Sequence, residues 1–334
     1  MSRLSANVRQ LKAAGDDTRL RLLALLRHGE RTVKDLTEVL GQSQPRISRH
    51  LKLLGDAGLV ERLPEGAWVY YRLSEQQPGA GLITAILAAT AEDDPVLSAD
   101  MERLDQVRWN NQKAADRYFA EHAGDWDRLR QLHGGESAVE AAILDAVGPG
   151  PYRALLDIGT GTGRMLTLLA DRVERSVGVD LSQSMLNVAR ANLERAGVGN
   201  ARLRVGDALR LPVPRDSFDL VIVHQVLHFL DDPARAVAEA AKAVTASGRL
   251  LVIDLAPHEV ESLRTDHAHR RLGFSHEQVA QWIEAAGLTV TGVSDLKPKA
   301  RLKHALSVTL WSAVDQRVRL AGGLASGVIR RDRR

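Results

Sequence analysis

The sequence predicts an α/β fold in which a doubly wound parallel sheet follows a smaller, helix-rich N-terminal module. Residues 155–164 (LLDIGTGTGR) combine an apolar run, an acid and alternating glycines, which is typical of a buried strand, a tight turn and a helix. Two further short strands end in Asp180 and Asp207. The first 75 residues instead show helical periodicity followed by a hairpin pattern. At 334 residues the chain is long enough for two domains.

The composition is that of an average globular protein, with 44% hydrophobic and 26% charged residues. No apolar run is long enough to span a bilayer, and no secretory leader follows Met1. We therefore expect a cytoplasmic protein without membrane contact. The absence of cysteine excludes disulfides and thiolate chemistry.

The charges are divided along the chain. Residues 1–75 carry 13 Lys and Arg against 9 Asp and Glu, and residues 297–334 carry 10 against 2. The part between them carries 22 basic and 31 acidic residues. An acidic central part between basic ends indicates that an anionic polymer binds to the terminal parts of the chain and not to the central part. We expect the last residues, 330–334 (RRDRR), to be a disordered solvated end and not a DNA arm.

The N-terminal module begins with three predicted helices. The first spans about 17–28, and its leucines supply a buried face. The second spans 32–40 and ends at Gly41, a typical C-cap and tight turn. The third follows Ser43, which we expect to cap it, and Pro45 fits its first turn because no N–H is needed there.

The third helix has an apolar face and a polar face. Ile47, Leu51 and Leu54 share the apolar face. The Gln and Arg residues opposite them suit bidentate contacts with adenine and guanine in the major groove, and Ser, His or Lys suit phosphates. After the helix, segments 58–63 and 67–73 alternate around Pro-Glu-Gly, which predicts a β-hairpin.

These elements together resemble the winged helix-turn-helix of the ArsR family of bacterial repressors. The resemblance implies that the third helix reads double-stranded DNA and that the hairpin is the wing. A helical module used only for protein contacts is the alternative interpretation. The residues expected to contact DNA are Gln44, Arg46, Ser48, Arg49, His50, Lys52, Arg62 and Arg72.

A small, apolar, helix-prone segment follows at 79–91. In the ArsR resemblance this helix pairs two subunits, which implies a homodimer on a pseudo-palindromic operator with half-sites about one helical turn of DNA apart. The stretch that carries cysteines in the family reads ERTVKDL at 30–36, and the pairing helix contains no His. Soft metals need thiolates, so we expect no metal site.

Residues 98–147 are expected to be helical and contain several aromatic residues, which we expect to serve mainly in packing. This lead-in resembles the segment that covers the cofactor pocket in small-molecule methyltransferases. We expect four parts: residues 1–95 as an ArsR-type DNA-binding and dimerisation domain, 96–147 as a helical connector and pocket lid, 148–320 as a cofactor-binding domain, and 321–334 as a disordered tail.

The glycine turn discriminates between nucleotide-like ligands. A dinucleotide fingerprint that starts at Gly159 requires Gly or Ala at 164, where this chain has Arg164. The glycines alternate instead, which argues against NAD. Their pattern resembles motif I of class I S-adenosylmethionine (SAM) methyltransferases, a family with a Rossmann-like seven-stranded sheet. The resemblance implies that residues 148–320 are a class I SAM-dependent methyltransferase domain. A generic glycine turn is the alternative.

Two later acids support a SAM site. Asp180 ends a strand about 20 residues after the glycines, where a carboxylate is able to accept both ribose hydroxyls. In the methyltransferase family the acid at Asp207 receives the adenine amino group, and the N–H of Ala208 faces the ring. The residues expected to bind SAM or S-adenosylhomocysteine (SAH) are Asp157, Gly159, Thr160, Gly161, Gly163, Asp180, Leu181, Met185, Asp207, Ala208 and His224.

The rest of the chain completes the predicted sheet. Strand four covers 217–224, and a helix at 234–246 leads to strand five at 249–255. A helix at about 275–286 and strands at 288–293 and 305–314 fit the antiparallel end of the family's sheet. His224 follows strand four, where ligands lie in such sheets. It is a candidate general base, although a histidine that only shapes the pocket fits the same position.

Absent residues narrow the methyl acceptor. Methylation of cytosine C5 and of arsenite both need cysteine, which the chain lacks. Amino-methylation of bases goes with an Asn/Asp-Pro-Pro-aromatic stretch, and residues 224–227 read HQVL. A nucleic-acid methyltransferase therefore ranks last, and a small-molecule acceptor is expected.

Two hypotheses about function remain. The first is a transcriptional regulator, expected to be a repressor, whose C-terminal domain senses SAM or SAH and also methylates a small molecule. The second is a small-molecule methyltransferase whose winged helix serves mainly in dimerisation or autoregulation.

Overall fold

A computed structural model describes residues 3–65, 68–74, 79–89, 94–122, 136–296 and 306–317. The two-part α/β architecture predicted from the sequence is confirmed. The N-terminal elements are α1 (Arg3–Ala14), α2 (Asp17–Leu26), β1 (Arg31–Thr32), α3 (Val33–Leu40), α4 (Gln44–Asp56), β2 (Val60–Glu65), β3 (Trp68–Leu73) and α5 (Gly79–Ala89). Strands β2 and β3 form the predicted hairpin, and β1 pairs with β3 on its other side.

Helix α3 begins and ends as its sequence dictates. The Thr32 hydroxyl accepts the Asp35 N–H at 3.1 Å and the Asp35 carboxylate accepts the Thr32 N–H at 3.1 Å, which is a complete capping box. The helix ends at Gly41, whose φ of 63° lies in the left-handed region that glycine adopts without strain.

The expected side-chain cap of α4 is not formed. Ser43 stands at the N-cap position, but its side chain makes no capping bond. The second residue of the helix is Pro45, which has no N–H to offer, and the Arg46 N–H is taken by the Ser43 carbonyl at 3.0 Å. The prediction of Pro45 in the first turn was correct.

Two long helices connect the N-terminal module with the sheet: α6 (Pro95–His122) and α7 (Glu136–Val147). Helix α6 belongs partly to the N-terminal core, since Leu104 and Val107 are buried there among the leucines of α2, α3 and α4. The part of the stretch 98–147 that falls at 123–135, also expected to be helical, lies outside the described residues.

The C-terminal part is a seven-stranded sheet, as predicted. Its strands are β4 (Leu155–Ile158), β5 (Ser176–Asp180), β6 (Ala201–Val205), β7 (Phe218–His224), β8 (Val244–Leu255), β9 (Thr289–Leu296) and β10 (Val308–Val314), in the order β6-β5-β4-β7-β8-β10-β9. All pairs are parallel except those of β10, which is antiparallel to β8 and β9. The order reverses beside β4, which is where ligands bind in such sheets.

Helices cover both faces of this sheet. They are α8 (Arg164–Leu168), α9 (Gln183–Arg195), α10 (Pro233–Ala243), α11 (Ser262–Asp266) and α12 (His276–Ala285). One buried cluster packs residues of α10 and α12, such as Val237 and Ile283, on one face. A second cluster packs Ile143 of α7 and Leu166 of α8 on the other. Each face therefore has its own apolar core.

Some element boundaries differ from the predictions. The helix expected at 234–246 ends at Ala243, and β8 starts at Val244, earlier than expected. The β-branched Val244 and Thr245 favour a strand, and Val244 pairs with Phe218 of β7. The predicted tail at 321–334 and the start of the strand expected at 305 lie outside the described residues. Within the described ranges, no helix has the length and apolar character needed to cross a membrane.

Candidate cofactor cavity and DNA-binding face

A large cavity opens at the carboxyl ends of β4, β5, β6 and β7. It encloses about 1290 Å³, a volume that includes the open solvent at its mouth, and it is lined by residues from these strand ends and from α6. Ten of the eleven residues predicted to bind the cofactor line it, namely Asp157, Gly159, Thr160, Gly161, Asp180, Leu181, Met185, Asp207, Ala208 and His224.

Gly163 does not line the cavity. It precedes α8 with φ 80°, and a Cβ placed on it would lie 3.2 Å from the Cβ of Ala189 in α9. The third glycine of the turn thus allows α8 and α9 to pack closely.

Asp157 and Asp180 are hydrogen-bonded to residues of the glycine turn. The Thr160 hydroxyl donates to Asp157, which is buried at the end of β4, at 2.6 Å. Asp180 accepts the backbone N–H groups of Gly161 and Ser182, each at 2.8 Å. An ionised carboxylate offers about four acceptor positions, so the same group is chemically able to accept ligand hydroxyls as well.

The third acid, Asp207, lines the same cavity. Asp207 follows β6 and accepts the Leu209 N–H at 2.8 Å, which fixes the turn that also presents Ala208. Acids at the ends of three neighbouring strands therefore meet in one cavity, as the sequence predicted.

Gly159 lies against Val226 in the loop that follows β7. Its φ is 69°, and a Cβ on it would lie 2.5 Å from the Val226 Cγ2 atom. We expect Gly159→Ala to lower the free energy of unfolding by about 1–3 kcal/mol, because it combines backbone strain with overpacking. Urea unfolding measures this change.

Gly197→Ala is the matched control for that variant. Gly197 has φ 68°, but a Cβ there would meet nothing within 4 Å. This variant carries the backbone strain without the clash, so it should unfold at a higher urea concentration than Gly159→Ala. Equal midpoints would show that the contact with Val226 is unimportant.

A buried pair supports the loop after β7. His228 Nδ1 lies 2.6 Å from Asp254 Oδ1, and the other Asp254 oxygen accepts the Leu227 N–H at 2.9 Å. This pair holds the loop whose next residues, Phe229 and Asp231, line the cavity. His224 lies before this loop and lines the cavity directly.

Sequence reasoning missed several cavity residues. Helix α6 supplies Arg108, Asn111 and Phe119, and the loop before α12 supplies Arg270. Of these, only Phe119 belongs to the aromatic residues of 98–147 singled out from the sequence, which were expected to serve mainly in packing. Nothing in the sequence around Arg270 indicates a ligand site.

The polar face of α4 is open to solvent. Gln44, Arg46, Arg49 and Lys52 are exposed, whereas Ser48 and His50 are half-buried. His50 Nδ1 lies 3.6 Å from Asp16 Oδ1, and burial lowers the pKa of this imidazole.

The two hairpin arginines differ. Arg62 is exposed on β2. Arg72 on β3 is half-buried and binds Glu61 at 2.8 Å, so it is engaged within the wing. In the described part of the chain, no group of three or more His, Asp or Glu side chains is placed to hold a metal ion.

Comparison with known proteins finds a family match in each of the two parts of the chain. Residues 16–62 match the model of the arsR family of bacterial regulatory proteins, and residues 156–252 match a methyltransferase domain model. The arsenical resistance operon repressor of Escherichia coli is 47% identical over 72 residues, which are 21% of this chain and 62% of the repressor. The uncharacterized methyltransferase YcgJ of Bacillus subtilis is 36% identical over 100 residues, 30% of this chain and 40% of that protein.

A solved structure supports the C-terminal fold. A chain from the complex between the Haloferax volcanii Trm112 methyltransferase activator and a methyltransferase superposes with a TM-score of 0.50 at 20% identity, covering 59% of this chain and 97% of that one. The present chain spans less than two thirds of the length of the two curated relatives. These matches show an arsR-type helix-turn-helix region at residues 16–62 and a methyltransferase domain at residues 156–252 of the same chain.

Proposed function

We propose that this protein is a DNA-binding transcriptional regulator, expected to be a repressor, whose affinity for its operator changes when SAM or SAH fills the cavity. The observation that carries this proposal is the composition of the cavity wall. Three strand-end acids and the glycine turn form one side, and α6, which also packs in the N-terminal core, forms another. The arsR-type match does not favour the alternative in which the winged helix serves mainly in dimerisation.

The residues present suit an adenosyl ligand. Asp180, Asp207 and Ala208 all line the cavity, which supports a role for Asp180 in accepting ribose hydroxyls and for Asp207 with the Ala208 N–H in holding the adenine ring. Gly159 and Gly161 let the ligand approach the backbone because no Cβ intervenes. SAM, when bound, supplies an activated methyl group.

Turnover on a small molecule is a second part of the proposal. His224 lines the cavity at the end of β7, where an imidazole nitrogen is able to take a proton from an acceptor. Phe119 and Phe229 line the same cavity with their ring centres 4.9 Å apart, so that side favours an acceptor with apolar surface. The sequence has no cysteine for C5 methylation of cytosine.

We also propose a homodimer on a pseudo-palindromic operator, in the cytoplasm. Helix α1 exposes an apolar stripe of Leu4, Val8 and Leu11, with exposed fractions of 74%, 41% and 51%. Residues at this spacing share one helix face. We propose that a second subunit covers this face of α1 together with α5, the neighbouring helix that the ArsR resemblance implies pairs two subunits, so that two copies of α4 meet successive turns of DNA.

A mobility-shift titration tests the regulator. We expect saturating SAM or SAH to change the apparent dissociation constant for DNA from the protein's own promoter by about 5- to 150-fold, the usual range of coupling between two sites. Affinity measured in the same buffer with and without ligand gives this ratio.

NAD is the matched control ligand, since Arg164 breaks the dinucleotide fingerprint. It should leave the dissociation constant unchanged. If calorimetry shows that SAM and SAH bind while neither alters DNA affinity, the regulator proposal is wrong and a methyltransferase with an attached DNA-binding module remains.

A further inference from the structure

The connection between β8 and α12, which contains the short helix α11, touches both halves of the molecule. We call residues 264–272 of this connection the arginine segment, because Arg264, Arg270 and Arg271 lie in it. Arg271 is only 1% exposed. Its guanidinium donates to Glu30 at 2.8 Å and lies 3.4 Å from Glu65, both in the N-terminal module.

Arg271 remains charged in this buried position. Burial by itself lowers the pKa of Arg271, but Tyr70, Glu30 and Glu65 around it raise that pKa above its ordinary value. The guanidinium also lies 3.6 Å from the centre of the Tyr70 ring. A buried cation is tolerated only with its partners in place, so this contact ties the two halves firmly together.

The same segment holds the wing. Glu65, the last residue of β2, accepts the Leu272 N–H at 2.6 Å and binds the Arg264 guanidinium at 2.8 Å. The Tyr70 hydroxyl of β3 donates to the Arg270 carbonyl at 2.5 Å. Both strands of the wing are thus anchored to the methyltransferase domain close to the hairpin turn.

The other side of the segment faces the cofactor cavity. Arg270 lines that cavity, and its Nε atom lies 2.6 Å from the carboxylate of Asp231, which lines it too. The far end of its guanidinium lies 3.8 Å from Asp35, in the capping box that starts α3. A smaller cavity that shares Asp231 and Arg270 with the cofactor cavity is lined by Glu30, Asp35 and Tyr70.

We propose that the arginine segment transmits occupancy of the cofactor cavity to the wing and to α3, with Arg270 as the positioning residue between Asp231 and Asp35. This inference rests on the proposed function. A ligand that reaches Asp231 or Arg270 alters their ion pair, and Arg271 is the adjacent residue, locked to Glu30 and Glu65. Movement of the segment therefore moves the wing with it.

The position of the contact supports this assignment. Glu30 and Asp35 belong to the stretch 30–36, which has no cysteine in this chain. In the described residues that stretch instead meets two arginines of the methyltransferase domain. Coupling of two sites requires an element that both sites bias, and the arginine segment contacts both.

Hydrogen exchange tests the inference on the full-length protein. SAH should change amide exchange in peptides covering 60–73 as well as in those around the cavity. We expect Glu65→Gln and Tyr70→Phe to remove the change in the wing, because each breaks an anchor of the wing and neither side chain lines the cofactor cavity. In mobility shifts, the ratio of DNA dissociation constants with and without SAH should fall to within about twofold of one.

Glu239→Gln is the matched control, since Glu239 also pairs with a cation, Lys242 at 2.5 Å, but on α10 away from the wing. This variant should behave as the wild type in both measurements. SAH affinity in the absence of DNA should stay within about twofold in all three variants, which a general loss of structure would not allow.

The outcomes separate the two proposals. If SAH alters exchange in the wing but not DNA affinity, the arginine segment transmits occupancy and the proposed function fails. If SAH alters DNA affinity while exchange at 60–73 stays constant, the regulator stands and the transmission route is wrong. If SAH does not bind at all, both proposals fall.

Discussion

Asp180→Asn is expected to weaken binding of SAM and SAH by at least about 100-fold, because the two proposed hydrogen bonds from the ribose hydroxyls lose their charged acceptor and a bond to a charged group contributes about 1.5–3 kcal/mol. The wild-type carboxylate also accepts two backbone N–H groups, from Gly161 and Ser182. An amide has one oxygen, so its NH₂ group would face one of those donors. Isothermal titration calorimetry with SAH measures the loss.

Asp145→Asn is the control for this variant, since Asp145 is an exposed carboxylate on α7 that does not line the cavity. It should bind SAH as the wild type does. DNA affinity without ligand should be the same for both variants, because Asp180 belongs to β5 of the C-terminal sheet and not to α4. If Asp180→Asn still binds SAH as the wild type does, the proposal that this cavity binds an adenosyl ligand is wrong.

The strand-end acids could be predicted because local patterns determine their position. Asp157, Asp180 and Asp207 each end or follow an apolar strand, and parallel strands bring their carboxyl ends to one edge of a sheet. The glycine turn is equally local, since Gly159 needs positive φ whatever surrounds it.

The contact between the arginine segment and the N-terminal module could not be predicted from such patterns. Arg270 and Arg271 lie in a loop without periodicity, and their partners Asp35 and Glu30 are more than 200 residues away in the sequence. Tertiary packing alone brings these charges together. The same holds for α6, whose residue Arg108 reaches the cavity only because Leu104 and Val107 are buried in the N-terminal core.

Arg46→Ala combined with Arg49→Ala is expected to weaken operator binding by at least about 30-fold. Both arginines are exposed on α4, and the buried Ile47 between them fixes the orientation of the helix. A bidentate contact with guanine contributes about 1–3 kcal/mol, and 1.4 kcal/mol is a factor of ten in affinity. Fluorescence anisotropy with a labelled operator at fixed salt measures the change.

The salt dependence separates base reading from phosphate contact. Loss of phosphate contacts flattens the dependence of log affinity on log salt by about one unit for each contact, and it affects every DNA sequence equally. Loss of base contacts mainly reduces the difference in affinity between operator DNA and DNA of scrambled sequence. The control is Arg195→Ala, an exposed arginine on α9 in the methyltransferase domain, which should leave both quantities unchanged. An intact preference for the operator in the double variant would exclude α4 as the recognition helix and leave the wing, with Arg62 exposed on it, as the part that reads DNA.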